Sequence, residues 1–196
     1  ACQLLDIHRG DRMETLVSMD TKAVNGPAAW EKMFGERPES FANGDHTMTM
    51  IRTANGKTIH IQHDVVNPRP YSRMYQLTGT KGFANKYPVE QYAFEPAQLD
   101  SAAMPDHQNL TAHGAITAEQ QAALLDKYTH PIIKEVGEVA RQVGGHGGMD
   151  YIMDYRLIYC LRNGLPLDMD VYDLAEWCCL TPLGELSIEN GNAPVE

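Results

Sequence analysis

Residues 44–65, Gly-Asp-His-Thr-Met-Thr-Met-Ile-Arg-Thr-Ala-Asn-Gly-Lys-Thr-Ile-His-Ile-Gln-His-Asp-Val, carry the clearest pattern in the chain. Two alternating runs flank Asn55-Gly56, the preferred dipeptide of a two-residue type I′ hairpin. Such a turn sets the register, with Arg52 opposite Ile59, Met50 opposite Ile61, Met48 opposite His63 and His46 opposite Val65. One face then holds His46, Met48, Met50, Ile61, His63 and Val65. The other holds Thr47, Thr49, Ile51, Thr58, His60, Gln62 and Asp64 and is Thr-rich.

The flanking pattern extends this into an antiparallel meander. Arg12 to Asp20 reads as a strand, Tyr71 to Thr78 as another, and Phe83 to Tyr87 as a third, with Gly79 and Gly82 in the turn between. Pro27 and Gly35 bracket a short helix. Residues 95–117 have no period and predict a long irregular loop of the functional or mobile kind. From residue 118 the period becomes helical. Thr117 is an N-cap, Pro131 breaks the run, and Gly144-Gly145 end it. Met149, Ile152, Met153, Leu157, Cys160 and Leu161 then recur at helical spacing until Gly164. Asp170 caps a last helix, in which Pro182 predicts a kink. Strands first and helices last predict an α+β fold, an open and mainly antiparallel sheet with helices packed on one face, as a single domain over 1–196.

Composition narrows the classes. Of 196 residues, 43% are hydrophobic and 21% charged, so a core can form without disulfides or metals. A net charge of −10 argues against nucleic acid and anionic membranes as partners. No run reaches the roughly 18 apolar residues of a membrane helix. Cys160, Cys178 and Cys179 lie in apolar, helix-like surroundings and read as buried free thiols. The opening Ala-Cys-Gln-Leu-Leu-Asp-Ile reads as the tail of a helix. Both ends look cut from a longer protein.

Four stretches invite chemistry. His60, His63 and Asp64 resemble a metal cluster, but the strand period sends His60 and His63 to opposite faces, so no metal is expected. His46 and His63, in the register above, share the end of one face, either as satisfied edge histidines or as hydroxyl-binding groups. Arg69, Tyr71 and Arg73 follow the extended backbone that Asn-Pro-Arg-Pro imposes. Tyr71, Arg73 and Tyr75 would share a strand face, as a solvated strand end or as a site for a hydroxylated ligand. Gly144 to Asp150, Gly-Gly-His-Gly-Gly-Met-Asp, follows a helix rather than a strand. The dinucleotide fingerprint therefore fails, and a tight helix–helix turn is the better reading, with Asp150 favourable to the helix dipole.

The phrases Leu-Leu-Asp-Ile-His-Arg-Gly-Asp-Arg-Met-Glu-Thr-Leu-Val-Ser-Met, Ile-Gln-His-Asp-Val-Val-Asn-Pro-Arg-Pro-Tyr-Ser-Arg and Gly-Thr-Lys-Gly-Phe-Ala-Asn-Lys-Tyr-Pro, and above all residues 144–177, resemble glycoside hydrolase family 109. That family's NAD-dependent α-N-acetylgalactosaminidases belong to the glucose–fructose oxidoreductase and inositol dehydrogenase superfamily. The resemblance covers nearly the whole chain. It implies the C-terminal α+β domain, for substrate binding and dimerisation, of an enzyme whose N-terminal Rossmann domain is not in this sequence. NAD would be bound mainly by that other domain, and the catalytic residues are expected upstream of Ala1.

The implied reaction oxidises the sugar 3-hydroxyl, eliminates the aglycone, adds water and reduces the ketone again. Tyr71 matches a family tyrosine associated with substrate. His46, His63, Arg73 and His146 join it as substrate-binding candidates on spacing alone. The resemblance further implies a homodimer through an open sheet face, for which the Thr-rich face is the candidate. It also implies a bacterial periplasmic location. A sugar dehydrogenase domain and a non-catalytic carbohydrate-binding module are the alternatives.

Overall fold

The computed structural model describes residues 1–94 and 115–196, so most of the expected 95–117 loop lies outside the described residues. The chain forms two compact units, Ala1–Arg69 with Leu167–Glu196, and Pro70–Pro166. Among the described residues there are two three-stranded antiparallel sheets and five α-helices, an α+β fold.

The first unit is built on β1 (Met13–Asp20), β2 (His46–Thr53) and β3 (Thr58–Asp64), in that order across the sheet. Helix α1 (Asn25–Phe34) connects β1 to β2 and ends at Gly35, whose φ of 84° suits a left-handed cap. The residue preceding α1 is Val24, which cannot cap. Asp45 does so from outside the helix, accepting N–H donors from Val24, Asn25 and Gly26 at 3.0, 2.8 and 2.9 Å. The predicted helical tail at the start of the chain is a single 3-10 turn, Cys2–Leu5.

The hairpin between β2 and β3 corrects the expected register by one residue. Arg52 pairs with Thr58, Met50 with His60, Met48 with Gln62 and His46 with Asp64. Met50 and Ile61 therefore lie on opposite faces. The cause is the turn. Type I′ needs positive φ at both Asn55 and Gly56, but only Gly56 adopts it, at 78°. The loop takes three residues instead. The Asn55 side chain donates to the Gly10 carbonyl at 3.0 Å and its backbone N–H to Asp11 at 3.0 Å. Thr53 donates its hydroxyl to the same buried Asp11 at 2.7 Å, which turns Thr53 inward.

One sheet face is thereby covered. Leu16 and Ile51 form its core with Ile7, and α5 (Val171–Glu189) packs along β1. The close approach falls at Gly184, where a Cβ would sit 3.0 Å from Ser18 Oγ. Ser187 Oγ accepts the Ser18 N–H at 3.0 Å, and Ser18 and Thr49 share a hydroxyl contact at 2.7 Å. Thr49 thus belongs to the helix-covered side, contrary to an open Thr-rich face. The other face, uncovered among the described residues, carries Met19, Met48 and Met50, all exposed, beside Arg52, His60 and Gln62. As predicted, Asp170 caps α5, in a reciprocal box with Asp173. The helix runs unbroken through Pro182. Cys178 on its surface is exposed, not buried, because α5 shows that side to solvent.

The second unit opens without regular structure over 70–75, so the strand expected from Tyr71 starts only at Gln76. Among the described residues nothing pairs with Tyr71 to Met74 in a ladder, and Pro70 stands just before them without an N–H to donate. β4 (Gln76–Thr78), β5 (Gly82–Asn85) and β6 (Gln91–Phe94) form a second meander. Helix α2 (Ala118–Tyr128) carries the predicted Thr117 cap, reciprocated by Gln120. Pro131 takes the first position of α3 (Pro131–Val143), and α4 (Met149–Asn163) ends at Gly164. Val136, Ala140 and Cys160 form the α3–α4 core.

Candidate functional site

The segment from His60 to Arg69 is held by Asp64. Asp64 faces His46 across the hairpin and accepts a contact from its Nδ1 at 2.9 Å. It also accepts the Asn67 side-chain amide at 2.9 Å, the Asn67 backbone N–H at 3.2 Å, and Arg69 at 3.5 Å. Arg69 reaches on to Gln62 at 3.2 Å, and Asn25 donates to the Asn67 side-chain oxygen at 2.7 Å. The Asn67 amide, then His46, hold the Asp64 carboxyl well below the usual carboxylate range, against the cost of burial. The four-residue turn Asp64–Asn67 is thus pinned at its start by an ionised group. The predicted His46–His63 pair does not form, because the shifted register puts His63 opposite Thr47 and on the other face from His46.

Beyond the turn, Tyr71 is 72% exposed, and the Arg73 guanidinium lies 5.7 Å from its ring centroid. They pair through cation–π contact rather than through a shared strand face. The phenol and the guanidinium together offer one hydroxyl that can donate or accept and several N–H donors, a set suited to neutral hydroxyls.

His146 sits in the Gly-rich turn between α3 and α4, with φ 48°, and contacts both Asp150 oxygens at 3.0 and 3.1 Å. The five candidate residues are divided between the two units. His46 and His63 lie in the first unit, on different faces, and Tyr71, Arg73 and His146 lie in the second, with His146 turned to its own helix.

The turn does not fit a dinucleotide. Its Gly148 and Asp150 N–H groups both donate to the Gly145 carbonyl, at 2.9 and 3.4 Å, so they are not aimed at a ligand. A Cβ at Gly148 would stand 2.7 Å from the Ala140 backbone carbon, so α3 fills the concavity. The Asp150 carboxylate occupies the start of α4, where a phosphate would need to sit. Among the described residues no group of three or more His, Cys, Asp or Glu side chains is disposed to hold a metal.

Two site features were missed from sequence. Asp64 and Asn67 are spaced as an Asx-type turn within a stretch read mainly for its histidines. Asp45 is the remote cap of α1, signalled by a helix start that lacks its own capping residue.

Two small antiparallel meanders and five helices define an α+β chain whose glycine turn serves helix packing. Comparison with known families is specific: the model of the glycosyl hydrolase 109 C-terminal domain matches residues 1–196, and the chain belongs to that family. It is 70% identical over 195 residues to glycosyl hydrolase family 109 protein 1 of Phocaeicola vulgatus, covering 100% of this chain and 41% of that protein. It is 67% identical over 195 residues to a glycosyl hydrolase family 109 protein of Porphyromonas gingivalis, and 65% identical over 196 residues to protein 1 of Bacteroides thetaiotaomicron. In both cases 100% of this chain and 42% of the relative are covered. The chain thus spans about two fifths of the length of these relatives. Among the described residues no helix is long and apolar enough to cross a membrane.

Proposed function

We propose that this chain is the substrate-holding part of a bacterial glycoside hydrolase that removes terminal α-linked N-acetylgalactosamine. The observation that carries the reading is the match of the whole chain to the family's C-terminal domain. The exposed Tyr71–Arg73 pair supports it, since a neutral sugar is bound by hydroxyl-directed donors and an apolar ring face. NAD is the cofactor of this reading and is held mainly by the N-terminal Rossmann domain that the family resemblance implies. The role of these residues is to orient the sugar, with Tyr71 exchanging a hydrogen bond with a ring hydroxyl and Arg73 donating beside it.

The protein works as a homodimer in this reading. The uncovered methionine face of the first sheet meets its copy, since flexible thioethers pack against an identical surface at little cost. The periplasm is the compartment that suits a glycan-trimming hydrolase of this kind.

The test is an assay of the full-length protein on an aryl α-N-acetylgalactosaminide. The expected outcome is release of the aryl group. Loss of the Tyr71 hydroxyl in Tyr71→Phe should lower kcat/KM about fivefold, the equivalent of about 1 kcal/mol, with an unchanged melting temperature. Nicotinamide reduction without aryl release would instead identify a sugar dehydrogenase, and unchanged kcat/KM in Tyr71→Phe would remove Tyr71 from the site.

A further inference from the structure

Helix α4 repeats tyrosine every four residues, at 151, 155 and 159. Successive ring centroids are 6.4 Å apart and the planes are tilted by only 17° and 21°. This spacing follows the roughly 6 Å rise of four helical residues, so the rings form a row along the helix rather than a cluster in a core. Two of the three rings have polar partners. Tyr155 donates its hydroxyl to Glu135 of α3 at 2.9 Å, and the Arg156 guanidinium lies 6.0 Å from the Tyr159 ring centroid. A groove of about 900 Å³ runs along the same face, from Gly144 and Gly145 to Asn163 at the end of α4. Asp150, Asp154, Arg162 and Asn163 line it with the rings.

This arrangement has the parts of a carbohydrate subsite. Aromatic faces take the C–H surface of a pyranose, and carboxylates, an amide and a guanidinium take its hydroxyls. The volume suits more than one sugar ring, since a drug-sized ligand needs about 300–1,000 Å³. Two carboxylates against one guanidinium disfavour sialylated or sulfated chains and favour neutral ones. Nothing in the geometry calls for chemistry at this groove, because its polar groups flank the rings without converging on one atom.

We infer that the tyrosine face of α4 binds the neutral glycan chain that carries the terminal sugar, as a subsite distinct from the Tyr71–Arg73 pair. The inference rests on the glycosidase reading above for the identity of the terminal sugar. It makes α4 a determinant of preference for long over short substrates. Uniform binding of this kind lowers KM for extended substrates without changing the chemical step.

The test uses the full-length protein, a neutral trisaccharide ending in α-linked N-acetylgalactosamine, and an aryl α-N-acetylgalactosaminide. Tyr151→Ala/Tyr159→Ala should raise the trisaccharide KM about tenfold and leave the kcat/KM on the aryl glycoside within twofold. Tyr151→Phe/Tyr159→Phe keeps the rings and should retain most of the trisaccharide affinity. It also serves where the alanine pair fails to fold, because ring-proton saturation transfer to the trisaccharide can be read on it and on the natural protein.

Equal losses on both substrates, no loss on either, or no ring-to-sugar transfer would overturn the subsite. If the natural protein does not turn over the aryl glycoside, the glycosidase reading fails. The trisaccharide titration of natural and alanine proteins then still decides the groove, through a weaker Kd or an unchanged one.

Discussion

At the scale of single residues, carboxylates organise the first unit. Asp64 anchors the turn that leads to Tyr71, Asp11 ties the hairpin tip to the N-terminal loop, and Asp45 caps α1. Each is an acceptor surrounded by donors, so removing the charge leaves those donors unmatched. Asp64→Asn keeps the shape of the side chain but weakens its contacts to His46, Asn67 and Arg69. We expect a loss of about 1–3 kcal/mol, read as a lower denaturant midpoint with an unchanged slope. A midpoint equal to that of the natural protein would show that the turn holds without it. The prolines after the Asp64–Asn67 turn were visible in the sequence as a break, but the strand expected to carry Tyr71 does not form. The partners of the histidines were not visible, since they depend on which residue stands opposite which. That choice was settled by Asp11, 44 residues away from Asn55 in the chain.

Elements were legible wherever a local signal acts alone. The Thr117 and Asp170 caps, the Pro131 break and the glycine stops of α3 and α4 all stand where spacing and capping chemistry put them. The strand at 71–75 failed because a strand exists only with a partner, and the hairpin slipped because its turn residues are used by a tertiary contact. The same logic explains the Gly-rich turn. Gly148 has a φ of 99° and approaches the α3 backbone, so both conformation and space demand glycine. Gly148→Ala should cost about 2 kcal/mol or more, through a strained backbone and a forced separation of α3 from α4. A melting temperature within a degree of the natural protein would contradict this packing role.

For the whole molecule, the depressed carboxylates set the acid limit. Burial of Asp11 opposes ionisation, but hydrogen bonds from Thr53, Asn55 and Arg12, with Lys57 beside them, outweigh it and bring the group to about 2. Hydrogen bonding from Arg9, then from the Asp170 N–H, brings Asp173 to about 2 as well, again against burial. A folded-state value below the unfolded one gives stability that is complete above about pH 4 and lost as pH falls toward 2. The melting temperature should therefore fall steeply from about pH 4 to 2, and less steeply in Asp11→Asn. An equal slope in the two proteins would clear Asp11 of that role. The family was legible from residues 144–177, whose run of glycine, histidine, tyrosine and cysteine is too specific to arise from helix propensity. Which sheet face stays open was not legible, because the Thr49 side is covered by α5, which is distant in the chain. The proposed division of labour, with NAD held mainly outside this chain, is tested most directly by calorimetric titration with NAD, beside an assay on an aryl α-N-acetylgalactosaminide. The 196-residue chain should show neither binding nor turnover, and the full-length protein should show both. Micromolar NAD binding by the chain alone, or turnover above background, would place the nucleotide site within these residues and contradict the account.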